Sequence, residues 1–295
     1  MASYSKIRES IGSRTFDLVN NFLILLFSLT IILPFWYLLA QSFDSTSNVN
    51  SLFYLWPQNF TLSNYKTIAT NRYIWNGYLN TIFITITGTI GALFFTSMGA
   101  YALSKKRFPN RVFWSFFVII TMFFSGGLIP TYLWIVELGL INNIAVLIIP
   151  GFIGAYNMIL IRNFFQQIPT ELEDSACIDG AGVFRTFTNI IIPVSKPILA
   201  TVALWVAVGN WNSWFNCLIY MRDANKFVLQ VVLQRIIMQG SIQMLEQQTE
   251  MMDFAANPEI VKAACIYITT LPILCVYPFL QKYFVKGIYV GSLKG

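Results

Sequence analysis

Long apolar runs separated by short polar stretches set the pattern of the chain. Six runs reach or approach the roughly 20 residues that a helix needs to cross a bilayer. They cover residues 18–40, 79–103, 113–134, 144–161, 197–220 and 263–281, and none holds Asp, Glu, Lys or Arg. Backbone polar groups must be paired inside hydrocarbon, so each run predicts a helix. The first run is too long for a cleavable signal peptide and lacks a small-residue cleavage site, so it is expected to stay as a span. The pattern predicts an all-α integral membrane protein with six transmembrane helices, forming a single transmembrane domain over residues 1–295.

The polar stretches set the orientation. Lys6, Arg8 and Arg14 precede the first run, and Lys105, Lys106, Arg107 and Arg111 separate the second from the third. Arg162, Arg185 and Lys196 separate the fourth from the fifth, and Lys282, Lys286 and Lys294 follow the sixth. The alternate connections carry Lys66, Arg72, Arg222, Lys226 and Arg235, with Lys262 at the membrane boundary of the sixth run. Loops rich in Lys and Arg stay in the cytoplasm, so both termini are expected there. Pro34, Pro130, Pro150 and Pro272 lie within or beside the runs and predict kinks. Gly88 and Ala92, then Thr96 and Ala100, repeat small residues at a spacing that lets helices approach closely. Residues 41–77 are expected to form an ordered outer cap with short helices. Residues 221–257 are rich in Gln and Met, which fits either contact with an external protein or a solvated loop.

Composition supports the bilayer reading. The chain is 56% hydrophobic and 11% charged, where soluble domains carry about a quarter charged residues. In this setting the net charge of +6 marks cytoplasmic loops, and no nucleic-acid partner is expected. There is no histidine, and Cys177, Cys217, Cys265 and Cys275 show no metal-binding spacing. No metal site is expected. A membrane-embedded enzyme lacks evident acid–base groups, and Ser195 and Lys196, being adjacent, point apart on a helix. A transporter driven by an ion gradient is the stronger alternative. It usually needs ionisable residues inside spans, and these spans have none.

One connection breaks the pattern. "PTELEDSACIDGAGVFRTFTNIIIP", residues 169–193, is polar and holds Glu171, Glu173, Asp174 and Asp179. Thr170 with Glu173 predicts a capping box, and the acidic first turn complements the helix dipole. The helix is expected to run from about Glu171 to Asp179 and stop at Gly180. A second short helix is expected over residues 183–189, ending before Pro193. An acidic first turn suits a protein partner better than a lipid surface.

These residues resemble the EAA loop of the permease subunits of bacterial ABC importers. The family pattern is Glu-Ala-Ala, three residues, Gly, nine residues, Ile, one residue, Leu-Pro. Asp174-Ser175-Ala176, Gly180, Ile190 and Ile192-Pro193 match it at the same spacing, with Asp, Ser and Ile as departures. "AYALSKKRFPNR" (100–111), "GGLIPTYLWIVELGLINN" (126–143), "WNSWF" (211–215, with Ser213 where an acidic residue is often found) and "VKGIYVGSLKG" (285–295) resemble the maltose-type carbohydrate branch.

The resemblance implies a type I ABC importer permease fold in the bacterial cytoplasmic membrane. It implies carbohydrate import, of an oligosaccharide, by ATP-driven alternating access. Residues 169–193 would be the coupling-helix loop that docks on an ATP-hydrolysing subunit. The contact residues would be Glu173, Asp174, Ser175, Ala176, Asp179, Gly180, Ala181, Val183 and Phe184, and Ser292 to Gly295 would reach toward the same interface. Expected partners are two ATP-binding subunits, a second and different permease, an extracytoplasmic solute-binding protein and membrane lipid. The chain has no phosphate-binding GxxxxGK[ST] loop. ATP and Mg would belong to the partner, with no cofactor on this chain and no catalysis by it. Asn210, Trp211, Asn212 and Trp214 are candidates for the sugar pathway, or else form an interfacial aromatic belt.

Overall fold

The computed structural model describes residues 11–45, 55–239, 260, 262–272 and 274–275. These residues are almost wholly helical, with one isolated antiparallel bridge between Asp44 and Phe60. They fall into two compact units, Met1–Thr70 with Glu250–Ile268, and Asn71–Thr249 with Thr269–Gly295.

In the first unit, α1 (Ile11–Ser42) is 32 residues long and continues through Pro34. Its apolar side chains from Phe16 to Trp36 stand exposed, as lipid contact requires. Of the segment 41–77 expected to form a cap, the described part holds one short helix, α2 (Ser63–Thr70), while residues 72–77 open the next long helix and residues 46–54 lie outside the described residues. Asn64 Nδ2 donates to the Ser42 and Asp44 carbonyls at 3.1 and 2.8 Å, and the Ser42 hydroxyl meets Tyr65 Oη at 2.6 Å.

The second unit is built on α3 (Arg72–Ser104), 33 residues without a proline. Asn71 caps it, accepting from the Tyr73 and Ile74 amides. The small-residue stripe faces inward: Gly88, Ala92, Thr96 and Ala100 are all buried. Along it α3 packs on α6 (Ala155–Phe165) and α10 (Lys196–Trp211). Thr96 Oγ1 donates to the Phe152 carbonyl at 3.1 Å. A Cβ on Gly91 would stand 2.2 Å from the Phe152 ring, and one on Gly88 2.7 Å from Asn210 Nδ2. Gly91→Val is therefore expected to lower the thermal unfolding midpoint of the detergent-solubilised protein, by overpacking worth about 1–3 kcal/mol.

Three of the predicted spans are interrupted, two of them beside Pro130 and Pro150, where kinks are expected. The third consists of α4 (Arg111–Phe123) and α5 (Leu128–Glu137), bent by 110°. The break falls at Gly126–Gly127, where Gly127 has φ +84°, a conformation that side-chain-bearing residues avoid. Pro130 then sits in the first turn of α5, where a missing N–H costs nothing. The fourth begins as two 3-10 turns, Ile144–Leu147 and Ile149–Gly151, before α6. The fifth stops at Trp211 and resumes as α11 (Phe215–Tyr220). Among the described residues three helical stretches can cross a membrane, or up to five if each bent pair counts as one. The sixth run is described over residues 263–272 and 274–275, the Gln- and Met-rich segment over residues 221–239, which include α12 (Leu229–Gln239), and the C-terminal tail lies outside the described residues.

The two ends of α3 separate the loops as the charge pattern predicts. At its start, Asn76 and Asn80 bond residues 225 and 227. Asn142 Oδ1 in turn accepts from the Arg222 and Asp223 amides. At its finish, Lys105 reaches Glu173. Loops 141–143 and 221–228 thus share one end of this unit, and the connections that hold Lys105 and Glu173 meet at the other.

Candidate functional site

The polar module forms a helix–turn–helix. The first helix is α7 (Glu171–Ile178) and the second opens with α8 (Val183–Thr186). Gly180 has φ +76°. The Ala181 amide donates to the Ala176 carbonyl at 2.9 Å and the Gly180 amide to the Cys177 carbonyl at 3.0 Å. This pair of bonds is the Schellman closure of a helix end, and it needs a left-handed residue where Gly180 stands.

Two local expectations are corrected. No capping box forms: Thr170 has helical φ and ψ and makes no side-chain cap. Its carbonyl accepts from the Glu173 and Asp174 amides, while the Glu173 side chain leaves its own helix. The second helix does not end before Pro193. α8 continues through a π turn, Phe187–Ile191, into α9 (Ile192–Val194). The Ile192 amide bonds back to the Phe187 carbonyl, so the ladder is already widened where Pro193 lacks an N–H. The chain then bends by 83° into α10.

Of the nine residues expected to contact a partner, Asp174, Ser175, Asp179, Gly180, Val183 and Phe184 are exposed. Ala176 is buried and Ala181 half-buried, so both shape the turn from inside. Glu173 turns inward, pairing with Lys105 Nζ and accepting from Tyr101 Oη at 3.4 Å. Glu173 is thus half-buried and already engaged within the chain, unlike the six exposed residues.

The outward surface carries large apolar side chains among its polar ones. Ile178 is 87% exposed, Val183 75% and Phe184 61%. Three large apolar side chains thus stand exposed on this polar helix–turn–helix, at the end of the unit where Lys105 lies. Sequence reasoning missed Ile178, although an isoleucine just before a helix-ending glycine is a visible signal. It also missed Lys105 and Tyr101, which lie some 70 residues from Glu173 in the chain.

The four candidate pathway residues have four different surroundings. Asn210 is half-buried against Gly88, and Trp211 is buried. Asn212 is exposed and donates to its own helix at the Val208 carbonyl, 2.9 Å away. Trp214 is 40% exposed and meets Phe215 edge-on. No group of three or more metal-ligating side chains occurs among the described residues.

Comparison with known proteins places this geometry. The chain is 42% identical to protein LplC of Bacillus subtilis (strain 168), over 100% of both chains. It is 40% identical to the polygalacturonan/rhamnogalacturonan transport system permease protein YtcP of the same organism, over 96% of this chain and 99% of that one. A solved chain of a bacterial ABC transporter involved in the import of the acidic polysaccharide alginate superposes with a TM-score of 0.85 at 34% identity. That match covers 95% of this chain and 100% of the other. Residues 96–289 match the binding-protein-dependent transport system inner membrane component family. With the glycine-turned module at its basic end and its apolar, membrane-spanning helices, the chain belongs to that family: it is the membrane-embedded permease of an ABC importer.

Proposed function

We propose that this permease carries an oligosaccharide into the cytoplasm by alternating access, driven by ATP hydrolysis on a separate subunit. The observation that carries the coupling half is the exposed apolar surface of Ile178, Val183 and Phe184 on the module of α7 and α8. Burial of such side chains is worth about 1.5–3 kcal/mol each, which is enough to seat a short element in a protein socket. The module leads directly into α10, across a bend of 83° at Ser195, so a seated module lies one turn of chain away from a spanning helix. ATP binding has to favour the outward-open arrangement over the inward-open one for this to drive transport.

The working assembly in this reading has two ATP-binding subunits, which use ATP and Mg, a second permease and an extracytoplasmic solute-binding protein. The names of YtcP and of the alginate transporter support a carbohydrate cargo. Family membership favours the ATP-driven mechanism over the gradient-driven one.

A photo-crosslinking residue at Val183, followed by mass spectrometry of what it captures in native membranes, tests the coupling half. Capture of an ATP-binding subunit is the expected result. Capture of lipid alone from an intact complex would overturn it.

A further inference from the structure

We propose that the Lys105–Glu173 ion pair, seated on Tyr101, is the link through which movement of the coupling module reaches α3, and that α3 carries it to the outer face. The inference rests on the coupling role proposed above.

Glu173 occupies the position where a capping box would use it locally. It instead reaches a different element: Lys105 Nζ donates to Glu173 Oε1, and Tyr101 Oη donates to Oε2 at 3.4 Å. Lys105 also lies over the Tyr101 ring, 4.2 Å from its centroid. Tyr101 is itself buried, packed against Phe165 and Phe187. The pair is therefore oriented from below by a fixed aromatic ring and shielded on one side from water, which weakens screening. Ala176 is the buried side chain on α7, so apolar packing ties this short helix down only lightly. A charged tether changes what α7 can pull on.

The far end of the tether is suited to transmission. α3 is unbroken, and 33 residues at 1.5 Å each make a rod of about 50 Å. The neighbouring paths are bent by 110° and 83°, where displacement can be absorbed. The outer end of α3 is tied as well. Asn76 Nδ2 donates to Asn225 Oδ1 at 3.0 Å, and Asn80 Nδ2 donates to the Asn225 and Phe227 carbonyls at 2.9 and 3.0 Å. The Leu229 amide donates to Thr81 Oγ1 at 2.8 Å. A rod clasped at both ends joins the module to the 221–228 loop.

The test uses the whole transporter, purified through this chain and reconstituted in lipid. A cysteine replacing Arg72, an exposed residue at the outer end of α3 and outside the apolar run, is placed in a background lacking the native cysteines. Its rate of maleimide labelling is read with and without ATP plus orthovanadate. The expected result is at least a threefold nucleotide-dependent change with the native link. Lys105→Gln should remove that change while the ATP-binding subunit still co-purifies. Lys105→Arg should keep it, and Lys105→Glu combined with Glu173→Lys should restore it. A nucleotide response that persists in Lys105→Gln overturns the proposal, as does an absent response with the native link or a loss that charge reversal does not repair. Failure of the native chain to capture any ATP-binding subunit sinks the coupling reading instead, and so separates the two.

Discussion

Replacing Gly180 with valine is expected to cut sugar uptake at least tenfold while leaving the amount of chain in the membrane unchanged. Space is not the obstacle, because nothing lies within 4 Å of a Cβ built there. Conformation is. Gly180 sits at φ +76°, which for an ordinary L residue costs about 1–2 kcal/mol and is worse for a β-branched one. Relieving that strain means giving up the amide bonds of Gly180 and Ala181 to the Cys177 and Ala176 carbonyls. Those bonds fix the angle between α7 and α8. Insertion is driven by the apolar runs, which this substitution leaves unaltered. Gly180→Asn is the control, since asparagine tolerates the left-handed region and should keep most uptake. Equal uptake by the valine and asparagine variants would show that the turn geometry does not matter for coupling.

The second large effect is expected at Phe184. Phe184→Asp should reduce co-purification of the ATP-binding subunit by about 100-fold or more. An exposed phenylalanine that becomes buried on docking contributes apolar area. An aspartate in the same place would bring an unpaired carboxylate into an apolar contact, a penalty of several kcal/mol, and each 1.4 kcal/mol is tenfold in affinity. In the uncomplexed chain the aspartate costs little, because Phe184 is 61% exposed. Unfolding of the permease alone should therefore hardly change. Phe184→Leu should retain most capture. If the aspartate variant captured the subunit normally, the docking surface would have to lie elsewhere on the module.

Several features of this protein were legible before any coordinates. Charge-free apolar runs must be helical in hydrocarbon, and the side on which Lys and Arg collect sets orientation. Gly88, Ala92, Thr96 and Ala100 repeat at helical spacing, and they do form the buried face of α3. Gly180 follows an acidic, capped-looking helix, and a glycine there implies a left-handed turn. These are local properties, carried by neighbours in the chain.

Tertiary structure decided the rest. Whether a long apolar run is one helix or two is invisible to hydropathy, because both bury the same residues in lipid. The break at Gly126–Gly127 and the pause at residues 212–214 depend on backbone torsions and on the helices that receive the two halves. Glu173 had two possible partners: its own helix end, at local separation, and a lysine across the fold. The sequence alone favours the near one, since a capping box needs no long-range closure. Packing of α3 brings Lys105 and Tyr101 to it, and a charged partner outcompetes a backbone amide. Likewise the sequence grouped Asn210, Trp211, Asn212 and Trp214 by adjacency. A helix turns successive side chains about 100° apart, so adjacency in sequence could not place them on one surface.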